Sequence, residues 1–501
     1  MYAAITSATL MGTVGSRIVV EAHVGPGIPA FTVVGLPDEG CRESRDRVRA
    51  AMLSSGLEWP NRRITINLVG SGERRGGAGL DLAIAVGLLV ATGHLAPETV
   101  ASSSFIAELG LDGSLRATPG MAPLVSAVHD SDVVVASVAH DEAMLARPSR
   151  LRVVSTLAEL VSVLKGDSPW PDVVLVPPSP VNDDVPDLAD VRGQPLARLA
   201  LEVSAAGLHH MLMIGPPGAG KSMLARRLPG LLPRLTHDEA FEVAMIRSAA
   251  GMSHLARLAT APPYRAPHHS ISMVAMVGGG SAHIRPGEVT LASHGVLFLD
   301  EMGEFSPGVL DALRQPLEER CVRIARAHSS VEMPANCLVV AATNPCPCGV
   351  AMRTNCECAP SARQRYLRRL SGPLLDRFDV RVHLARPSTA ELTGETAAEP
   401  SACVAERVAR VHDISRQRQG CSNSAISGDM LDEVAPLTDD AMAVLRSQLD
   451  KGTLTGRGYH RVRRVARTLA DLDGAHGPIA RRWVDVALHL RARLDTGIAP
   501  R

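Results

Sequence analysis

The most specific chemical signal in the sequence is a glycine-rich loop that ends in the pair Lys221-Ser222. The loop reads G-P-P-G-A-G-K-S, which matches G-x-x-x-x-G-K-S and places glycines at Gly215, Gly218 and Gly220. A short apolar run precedes it and a segment of helical character follows, the strand–loop–helix context of a phosphate-binding loop. In such loops backbone N–H groups wrap the phosphates, the lysine reaches the β- and γ-phosphates, and the serine hydroxyl binds Mg²⁺. The sequence therefore predicts nucleotide binding, with ATP and Mg²⁺ as cofactors.

Two later apolar runs end in polar side chains suited to phosphoryl transfer. Asp300 and Glu301 close the run G-V-L-F-L, 79 residues after Lys221. Asp300 is expected to hold Mg²⁺ through water and Glu301 to polarise the attacking water, with an ordinary helix N-cap as the alternative. Asn344 closes the run L-V-V-A-A-T, where a neutral side chain can orient water against the γ-phosphate without adding charge.

A single arginine, Arg377, stands between apolar residues in the segment L-L-D-R-F-D. An arginine held there can project into a neighbouring subunit's nucleotide site and neutralise charge in the transition state. The alternative is a local salt bridge with Asp376 or Asp379.

In this order, the P-loop, Asp-Glu pair, Asn and Leu-Leu-Asp-Arg-Phe resemble an AAA+ ATPase of the magnesium-chelatase and MCM branch. More narrowly, the chain resembles the YifB/ComM family over nearly its whole length. The segments that carry this resemblance are P-H-H-S from 267, V-G-G-G from 277, P-G-E-V-T-L-A from 286, N-P-C-P-C-G from 344 and Y-H-R-V-R-R-V-A-R-T-L-A-D-L from 459.

The resemblance implies both an assembly and further site residues. ComM in that family is a hexameric helicase that drives branch migration when transforming DNA is integrated, so a homo-oligomer, a hexamer, is expected here. Asn344 would be sensor 1 and Arg377 the finger that acts in trans. Sensor 2 would be Arg457, with Arg461 and Arg464 as alternatives that the sequence leaves open.

Four cysteines form the pattern C-x-C, seven residues, C-x-C directly after Asn344. Four thiolates within one short loop can close a tetrahedral Zn²⁺ site, and the polar residues between the pairs argue against a buried apolar cluster. Reduced free thiols and an iron–sulfur cluster are the alternatives. The predicted zinc ligands are Cys346, Cys348, Cys356 and Cys358.

Basic residues mark two candidate contacts with a polyanion. The segment 321–333 is predicted to be a β-hairpin, and hairpins at this place in the MCM and chelatase branch face the ring pore in DNA motors. Arg323, Arg326 and His328 are therefore the DNA candidates, with a solvated hairpin as the alternative. Residues 456–501 carry 10 basic against 4 acidic groups but almost no aromatic side chains, so contacts to the DNA backbone are expected rather than base stacking.

Another pair, His268-His269, invites a metal-site interpretation. Adjacent histidines on a strand point apart, and no carboxylate or thiol lies close to them in sequence. A turn in the insert after helix 2 of the AAA+ core is therefore the favoured interpretation.

A parallel α/β sheet is needed to bring these residues together, and the chain divides accordingly. Residues 1–165 read as one α+β domain, which in this family resembles the Lon-protease fold. Residues 166–189 are an acidic, proline-rich linker. Residues 190–387 alternate apolar strands, loops and helices as a P-loop parallel-sheet module, with the cysteine insert at 344–360. The segment 388–501 reads as a helical lid. The predicted fold class is α/β.

Composition sets further bounds on the 501-residue chain. Its 52 basic and 52 acidic groups exclude a wholly basic nucleic-acid coat, although residues 191–501 alone carry 38 basic and 30 acidic groups. The longest uncharged apolar run falls short of the roughly 20 residues that cross a bilayer, and no secretory signal is visible. With nine cysteines, an odd number, metal binding in a reducing compartment is favoured over disulfides, so a cytoplasmic protein without a membrane partner is expected.

A Lon-like fold raises the possibility of proteolysis, which needs a serine nucleophile and a lysine base. Ala78 stands where the serine is expected in G-G-A-G, and Lys165 is the only lysine of residues 1–165. Family members often read K-E-G-S-G in this loop, and the R-R-G-G-A-G of this chain departs from that pattern. A ring scaffold or DNA-contact surface is therefore expected instead of a protease.

The resulting functional expectation is an ATP hydrolase that forms a ring and moves on DNA. A branch-migration helicase in recombination and natural transformation is the specific form of that expectation. The alternative, from another class, is a chelatase-type remodeller that uses ATP to drive metal insertion by a partner subunit.

Overall fold

The computed structural model describes residues 1–35, 39–70, 77–172, 185–252, 257–280, 284–326, 329–348, 358–370, 372–393 and 398–492. It contains two main sheets, one formed by residues 2–154 and the other by residues 211–383. Among the described residues, no helix combines the length and apolar character that a bilayer crossing requires.

The N-terminal sheet has seven strands, with helices packed against it. Its strands and the small ribbon beside it are β1 (Tyr2–Met11), β2 (Val14–Gly25), β3 (Ala30–Val34), β4 (Arg63–Val69), β5 (Ser103–Ile106), β6 (Glu108–Leu109), β7 (Leu115–Arg116), β8 (Asp132–Ala136) and β9 (Arg150–Val154). The helices are α1 (Glu39–Ser54), α2 (Asp81–Ala91), α3 (Met121–Ser126), α4 (His140–Met144) and α5 (Leu157–Lys165).

The strand order of this sheet is β3-β4-β2-β1-β5-β8-β9, and β6 and β7 pair separately. Strands β1 and β2 form an antiparallel hairpin that pairs Tyr2 with His23 at one end and Met11 with Val14 at the other. All eleven residues of α2 are buried, so this apolar helix forms the centre of the N-terminal core. Its first residue, Asp81, is the exception in polarity, and the guanidinium of Arg47 on α1 lies 2.7 Å from its carboxylate.

The second sheet is parallel throughout its five strands, in the order β11-β14-β17-β10-β18. The strands of this region are β10 (Met211–Ile214), β11 (Tyr264–Arg265), β12 (Gly278–Gly279), β13 (Arg285–Pro286), β14 (Val296–Leu299), β15 (Cys321–Arg326), β16 (Ser329–Pro334), β17 (Leu338–Thr343) and β18 (Val380–His383). Every residue of β10, β14 and β17 is buried, as expected for central strands covered on both faces.

Short helices surround this sheet: α6 (Pro195–Gly207), α7 (Lys221–Ala225), α8 (His237–Ala249), α9 (Met273–Val277), α10 (Glu288–Leu291), α11 (Pro307–Ala312), α12 (Arg314–Glu319), α13 (Pro360–Arg369) and α14 (Gly372–Leu375). Strands β12 and β13 form one antiparallel hairpin, and β15 and β16 form another. Helix α8 begins with a capping box, in which Thr236 and Glu239 satisfy each other's backbone N–H groups.

The C-terminal part is helical and packs on α6. It contains α15 (Thr389–Thr393), α16 (Ser401–Gln419), α17 (Leu431–Val434), α18 (Asp439–Asp450), α19 (Gly456–Leu472) and α20 (Arg481–His489). The buried carboxylate of Asp471 on α19 binds the guanidinium groups of Arg418 on α16 and Arg467 on α19. A mixed α/β protein with a parallel-sheet core and a helical C-terminus results.

The two sheets are joined by direct contacts between their layers. The Ser248 hydroxyl at the end of α8 accepts a hydrogen bond from Ala122 N at 3.1 Å and donates to Glu142 Oε1 at 2.5 Å. Burial raises the pKa of the Glu142 carboxyl, against the hydrogen bond from Ser248. A second contact lies at the β1–β2 turn, where Gly12 packs against the side chains of Val331 and Met333 on β16.

Candidate functional site

The glycine-rich loop leaves the carboxyl end of β10 and leads directly into α7, whose first residue is Lys221. Gly218 and Gly220 adopt φ of +80° and +88°, a conformation that favours glycine, and no heavy atom lies within 4 Å of either Cβ position. At the start of the loop, a Cβ on Gly215 would lie 2.6 Å from the Leu384 carbonyl oxygen, so only glycine fits against the end of β18.

Lys221 is anchored at the centre of this loop. Its Nζ donates to the carbonyls of Gly215 at 2.7 Å and Pro216 at 3.0 Å, and to Asn344 Oδ1 at 3.0 Å. Burial lowers the pKa of the Lys221 ammonium, and the carboxylates of Asp300 and Glu301 oppose that shift. The lysine, the amide and the acidic pair therefore share one electrostatic environment.

The acidic pair lies opposite the loop. Asp300 Oδ2 accepts a hydrogen bond of 2.7 Å from Ser222 Oγ, and Asp300 Oδ1 accepts one of 3.0 Å from the backbone N–H of Glu301. Glu301 has a φ of +51°, a strained conformation for a residue with a side chain, which turns the chain sharply after β14. Two oxygens 2.7 Å apart, a hydroxyl and a carboxylate, are donors of the kind that Mg²⁺ prefers.

Together these residues line a cleft of about 330 Å³, the P-loop cleft, formed by residues 217–223, Asp300, Glu301, Thr343 and Asn344. The cleft exists because β10, β14 and β17 run parallel and end at the same edge of the sheet. Thr343 pairs with Ile214 across one boundary, and Ala341 pairs with Leu299 across the other. Sequence-predicted residues from three strand ends are thus brought together.

Helix α13 braces this edge through Tyr366, a residue that the sequence analysis missed. The Tyr366 hydroxyl donates to the Asn344 carbonyl at 3.2 Å and lies 3.0 Å from Thr343 Oγ1. Its ring packs against Gly303, two residues after Glu301. One aromatic side chain therefore ties the end of β17 to the loop that follows the acidic pair.

Replacing Gly303 by alanine is expected to destabilise the protein by about 1–3 kcal/mol, the usual cost of forcing an extra carbon into a packed site. The added Cβ would lie 2.5 Å from Tyr366 Cε2 and 2.6 Å from its hydroxyl oxygen. The thermal unfolding midpoint, measured at fixed protein concentration, should fall. Gly308→Ala on α11 is the matched control, because no heavy atom lies within 4 Å of that Cβ position. Equal midpoints for the two variants would contradict the proposed contact.

Two more unpredicted side chains support the outer side of the loop. Gln194 Nε2 donates to the carbonyls of Ala219 at 3.4 Å and Ala385 at 2.5 Å, and Arg386 Nε donates to Pro217 O at 3.2 Å. Neither residue belongs to a recognisable motif by spacing. Only the folded contact identifies them.

The His268-His269 pair lies in a turn, and its two rings pack together with centroids 4.0 Å apart. The Ser270 hydroxyl lies 2.8 Å from His268 Nδ1 and closes the turn. His269 Nδ1 lies 3.5 Å from Glu301 Oε2, so the expectation that no carboxylate partner is near holds along the sequence but is wrong in space. A second cleft of about 320 Å³ opens here and shares Ser222, Asp300 and Glu301 with the P-loop cleft.

Arg377 lies away from the P-loop cleft of its own chain. Its guanidinium pairs with Glu318 Oε2 at 2.8 Å and donates to the carbonyls of Arg314 at 2.9 Å and Pro373 at 2.6 Å. The local partner is thus Glu318 rather than Asp376 or Asp379. Asp379 is buried, and its pKa is held well below its usual range by hydrogen bonding to His209 and by the charge of Arg461, which together outweigh the effect of burial.

The three sensor 2 candidates also lie outside that cleft. Arg461 pairs with Asp379 and donates to Arg377 O at 3.1 Å, at the edge of the sheet where β18 begins. Burial lowers the pKa of Arg464, which faces the same carboxylate. Arg457 is exposed in the first turn of α19. Since the P-loop follows the opposite ends of the strands, none of the three contacts it in the described part of this chain.

Three of the four predicted zinc ligands lie together. The Sγ atoms of Cys346, Cys348 and Cys358 are all within 4.8 Å of one another, with Cys346 buried and Cys348 exposed. Cys356 belongs to residues 349–357, which lie outside the described residues. Tetrahedral zinc with Zn–S bonds of 2.3 Å separates its sulfurs by about 3.8 Å, so this spacing fits the metal.

The predicted hairpin is formed by β15 and β16, paired from Cys321–Pro334 to Arg326–Ser329. Arg323 is exposed, but it pairs with Glu332 at 2.9 Å and with Glu319, so its charge is locally balanced. The Arg326 side chain and His328 lie outside the described part of the hairpin.

Comparison with known proteins agrees with this arrangement. The chain matches three family profiles: "Magnesium chelatase, subunit ChlI" over residues 187–392, "Subunit ChlI of Mg-chelatase" over 20–141, and "Magnesium chelatase, subunit ChlI C-terminal" over 398–491. It is 40% identical over 480 residues to competence protein ComM of Haemophilus influenzae, covering 94% of each chain. It is 38% identical over 491 residues to YifB of Escherichia coli, covering 96% of this chain and 95% of that protein.

A more distant match covers the part that contains the P-loop cleft less completely. DNA replication licensing factor mcm6 of Dictyostelium discoideum is 24% identical over 174 residues, covering 34% of this chain and 16% of that protein. The similarity to ComM and YifB, in contrast, extends over nearly the whole chain. The protein therefore belongs to the ComM/YifB family of magnesium-chelatase-like AAA+ proteins.

Proposed function

We propose that the protein hydrolyses ATP in the P-loop cleft. The observation that carries this proposal is the convergence of Lys221, Ser222, Asp300, Glu301 and Asn344 on one edge of a parallel sheet. Lys221 neutralises the β- and γ-phosphates, Asn344 orients the attacking water, and Glu301 accepts its proton. Ser222 and Asp300 hold Mg²⁺, which, when bound, neutralises the charge that develops on the phosphates.

Each active site is shared between subunits of a ring, which we take to be a hexamer. AAA+ proteins of this family commonly oligomerise, and this chain keeps Arg377 away from its own cleft. Placed at an interface, Arg377 supplies the positive charge that a neighbour's cleft lacks on its open side. Arg461, hydrogen bonded to the Arg377 carbonyl, places the start of α19 and its sensor 2 candidates at the same interface.

The ring acts on DNA, as a branch-migration helicase in recombination and natural transformation. A relative that matches 94% of this chain is named a competence protein, and another is named a DNA replication licensing factor. The eight surplus basic groups of residues 191–501 favour a polyanionic partner. The β15–β16 hairpin, with Arg323, Arg326 and His328, is the proposed pore element that contacts the DNA backbone.

The test of this function is the rate of ATP hydrolysis with and without forked DNA. Stimulation by DNA, together with displacement of a labelled strand, would support the motor. A rate that is indifferent to DNA would contradict it while leaving ATP hydrolysis itself intact.

A chelatase-type remodeller is the second candidate, favoured by the three chelatase profiles that cover most of the chain. This function requires a partner subunit that performs metal insertion. A pull-down from cell extract that retrieves a large cobalt- or magnesium-chelatase subunit, combined with ATP hydrolysis indifferent to DNA, would replace the motor by this function.

The N-terminal unit, residues 1–165, serves as a ring scaffold with a Lon-protease-like fold. Residues 166–189 link it to the ATPase module of residues 190–387, and residues 388–501 form the lid. Proteolysis is not expected, since Ala78 replaces the serine nucleophile and the only lysine of this unit is Lys165, the last residue of α5. Casein should remain intact in the presence of ATP.

Zinc is the proposed occupant of the cysteine cluster, where it would stabilise the insert 344–360. The cluster begins two residues after Asn344 and ends two residues before α13, the helix that carries Tyr366. Four protein ligands leave no open position, so the metal's contribution would be structural. Cys346, Cys348, Cys356 and Cys358 would hold it.

Purified protein is expected to contain about one zinc ion per chain, as a closed four-ligand site binds. Cys348→Ser should lower the zinc content measured by a chromogenic chelator after thiol modification, because three ligands bind more weakly than four. Cys403→Ser is the matched control, an exposed cysteine on α16 away from the cluster. Zinc content near zero in the wild type, or iron with a visible absorption band, would contradict this proposal.

A further inference from the structure

The histidine turn has no place in the site as so far described. It follows β11 and leads through Ser272, the N-cap of α9, into the β12–β13 hairpin. The turn therefore lies at the base of an insert whose two ends return to the parallel sheet. Its position brings His269 to the acidic end of β14 across 32 residues of sequence.

Glu301 needs an external constraint, because its own surroundings hold it weakly. Its side chain is 55% exposed, and its backbone is in the left-handed region with a φ of +51°. Among the described residues, the contact given for its carboxylate is that with His269 Nδ1 at 3.5 Å. A donor on that nitrogen attracts the carboxylate and limits the rotamers that it samples.

His269 is itself well fixed. Its ring packs on His268 on one side and meets Phe305 edge-on, with centroids 6.4 Å apart. Phe305 is fully buried beneath the loop that follows Glu301. The histidine thus spans from a rigid apolar base to the carboxylate that faces the cleft.

We propose that His269 is a positioning residue that holds the Glu301 carboxylate in its place at the P-loop cleft and thereby sets kcat for ATP hydrolysis. This inference rests on the proposed role of Glu301 in activating water. His269 contacts no residue of the phosphate-binding loop in the described structure, so its effect falls on the chemical step and not on ATP affinity.

The test separates the nitrogen donor from the bulk of the ring. His269→Phe keeps an aromatic ring but removes the donor, and it should lower kcat about tenfold, a moderate misplacement effect, with KM nearly unchanged. His269→Gln retains an N–H donor of similar reach and should recover most of the lost rate. Binding of a fluorescent ATP analogue should be the same for the wild type and both variants.

His268→Phe is the matched control, because His268 bonds to Ser270 and not to Glu301. It should keep the wild-type kcat, and the double variant of His269→Phe with Glu301→Gln should be no slower than Glu301→Gln alone. Wild-type kcat for His269→Phe, or an equal loss for His268→Phe, would overturn the inference while an inactive Glu301→Gln still upheld the proposed function. Full hydrolysis by Glu301→Gln would overturn both.

Discussion

Replacing Glu301 by glutamine is expected to slow ATP hydrolysis by a factor of about 10² to 10⁴, the range that a general base contributes. The amide has nearly the same shape as the carboxylate but cannot accept a proton from the attacking water. The phosphate-binding contacts of Lys221 and Ser222 are untouched by this change. ATP binding should therefore persist. Phosphate release measured at saturating ATP, beside titration with a fluorescent ATP analogue, separates the two effects.

Glu304→Gln provides the matched control for that experiment. Glu304 is three residues further along and pairs with Arg369 at 3.3 Å, and it does not line the P-loop cleft. It should hydrolyse ATP at close to the wild-type rate. If Glu304→Gln were as slow as Glu301→Gln, loss of loop structure would explain both variants and the general-base role would lose its support.

Arg377→Ala is expected to reduce hydrolysis by a factor of about 10³, the lower end of the effect of an arginine finger. The reason is that a positive charge is removed from the neighbouring subunit's transition state, while each chain's own cleft stays complete. Since Arg377 also pairs with Glu318 inside its own chain, the alternative of a structural role needs its own variant. Glu318→Gln removes that internal ion pair and leaves the arginine in place. It should retain most of the activity.

Mixing two inactive variants gives the sharper measurement. In a ring assembled at random from equal amounts of Glu301→Gln and Arg377→Ala subunits, about one interface in four joins an intact Glu301 to an intact Arg377. Activity should therefore reappear on mixing, although neither variant is active alone. Absence of any recovery in rings shown to contain both subunits, or inactivity of Glu318→Gln, would contradict a finger that acts across the interface.

The sequence was sufficient to predict those parts of the site whose geometry is local. A G-K-S loop between a strand and a helix has essentially one way to fold, and parallel strands end at a common edge, so Lys221, Asp300 and Asn344 had to converge. The helical character after residue 388 likewise follows from local patterning, and α16 and α19 occupy that region.

Contacts between distant segments left no comparable pattern. Tyr366 reaches Asn344 across 22 residues and a cysteine insert, and Gln194 reaches Ala385 across 191 residues. Neither depends on periodicity or on a motif. His269 was noticed for its type, but the search for a partner along the sequence could not find Glu301, which only the folding of the insert brings near. Glu318 as the partner of Arg377 was missed for the same reason.

The two contacts between the layers have a mechanical consequence. Ser248 fastens α8 to the N-terminal unit at one point, and the packing of Gly12 on Met333 fastens the β1–β2 turn to the base of the β15–β16 hairpin at another. A body held at two separated anchorages cannot swivel freely about either. Each tilt of an ATPase module during a power stroke is consequently transmitted outward by the N-terminal sheet, which works as a lever arm.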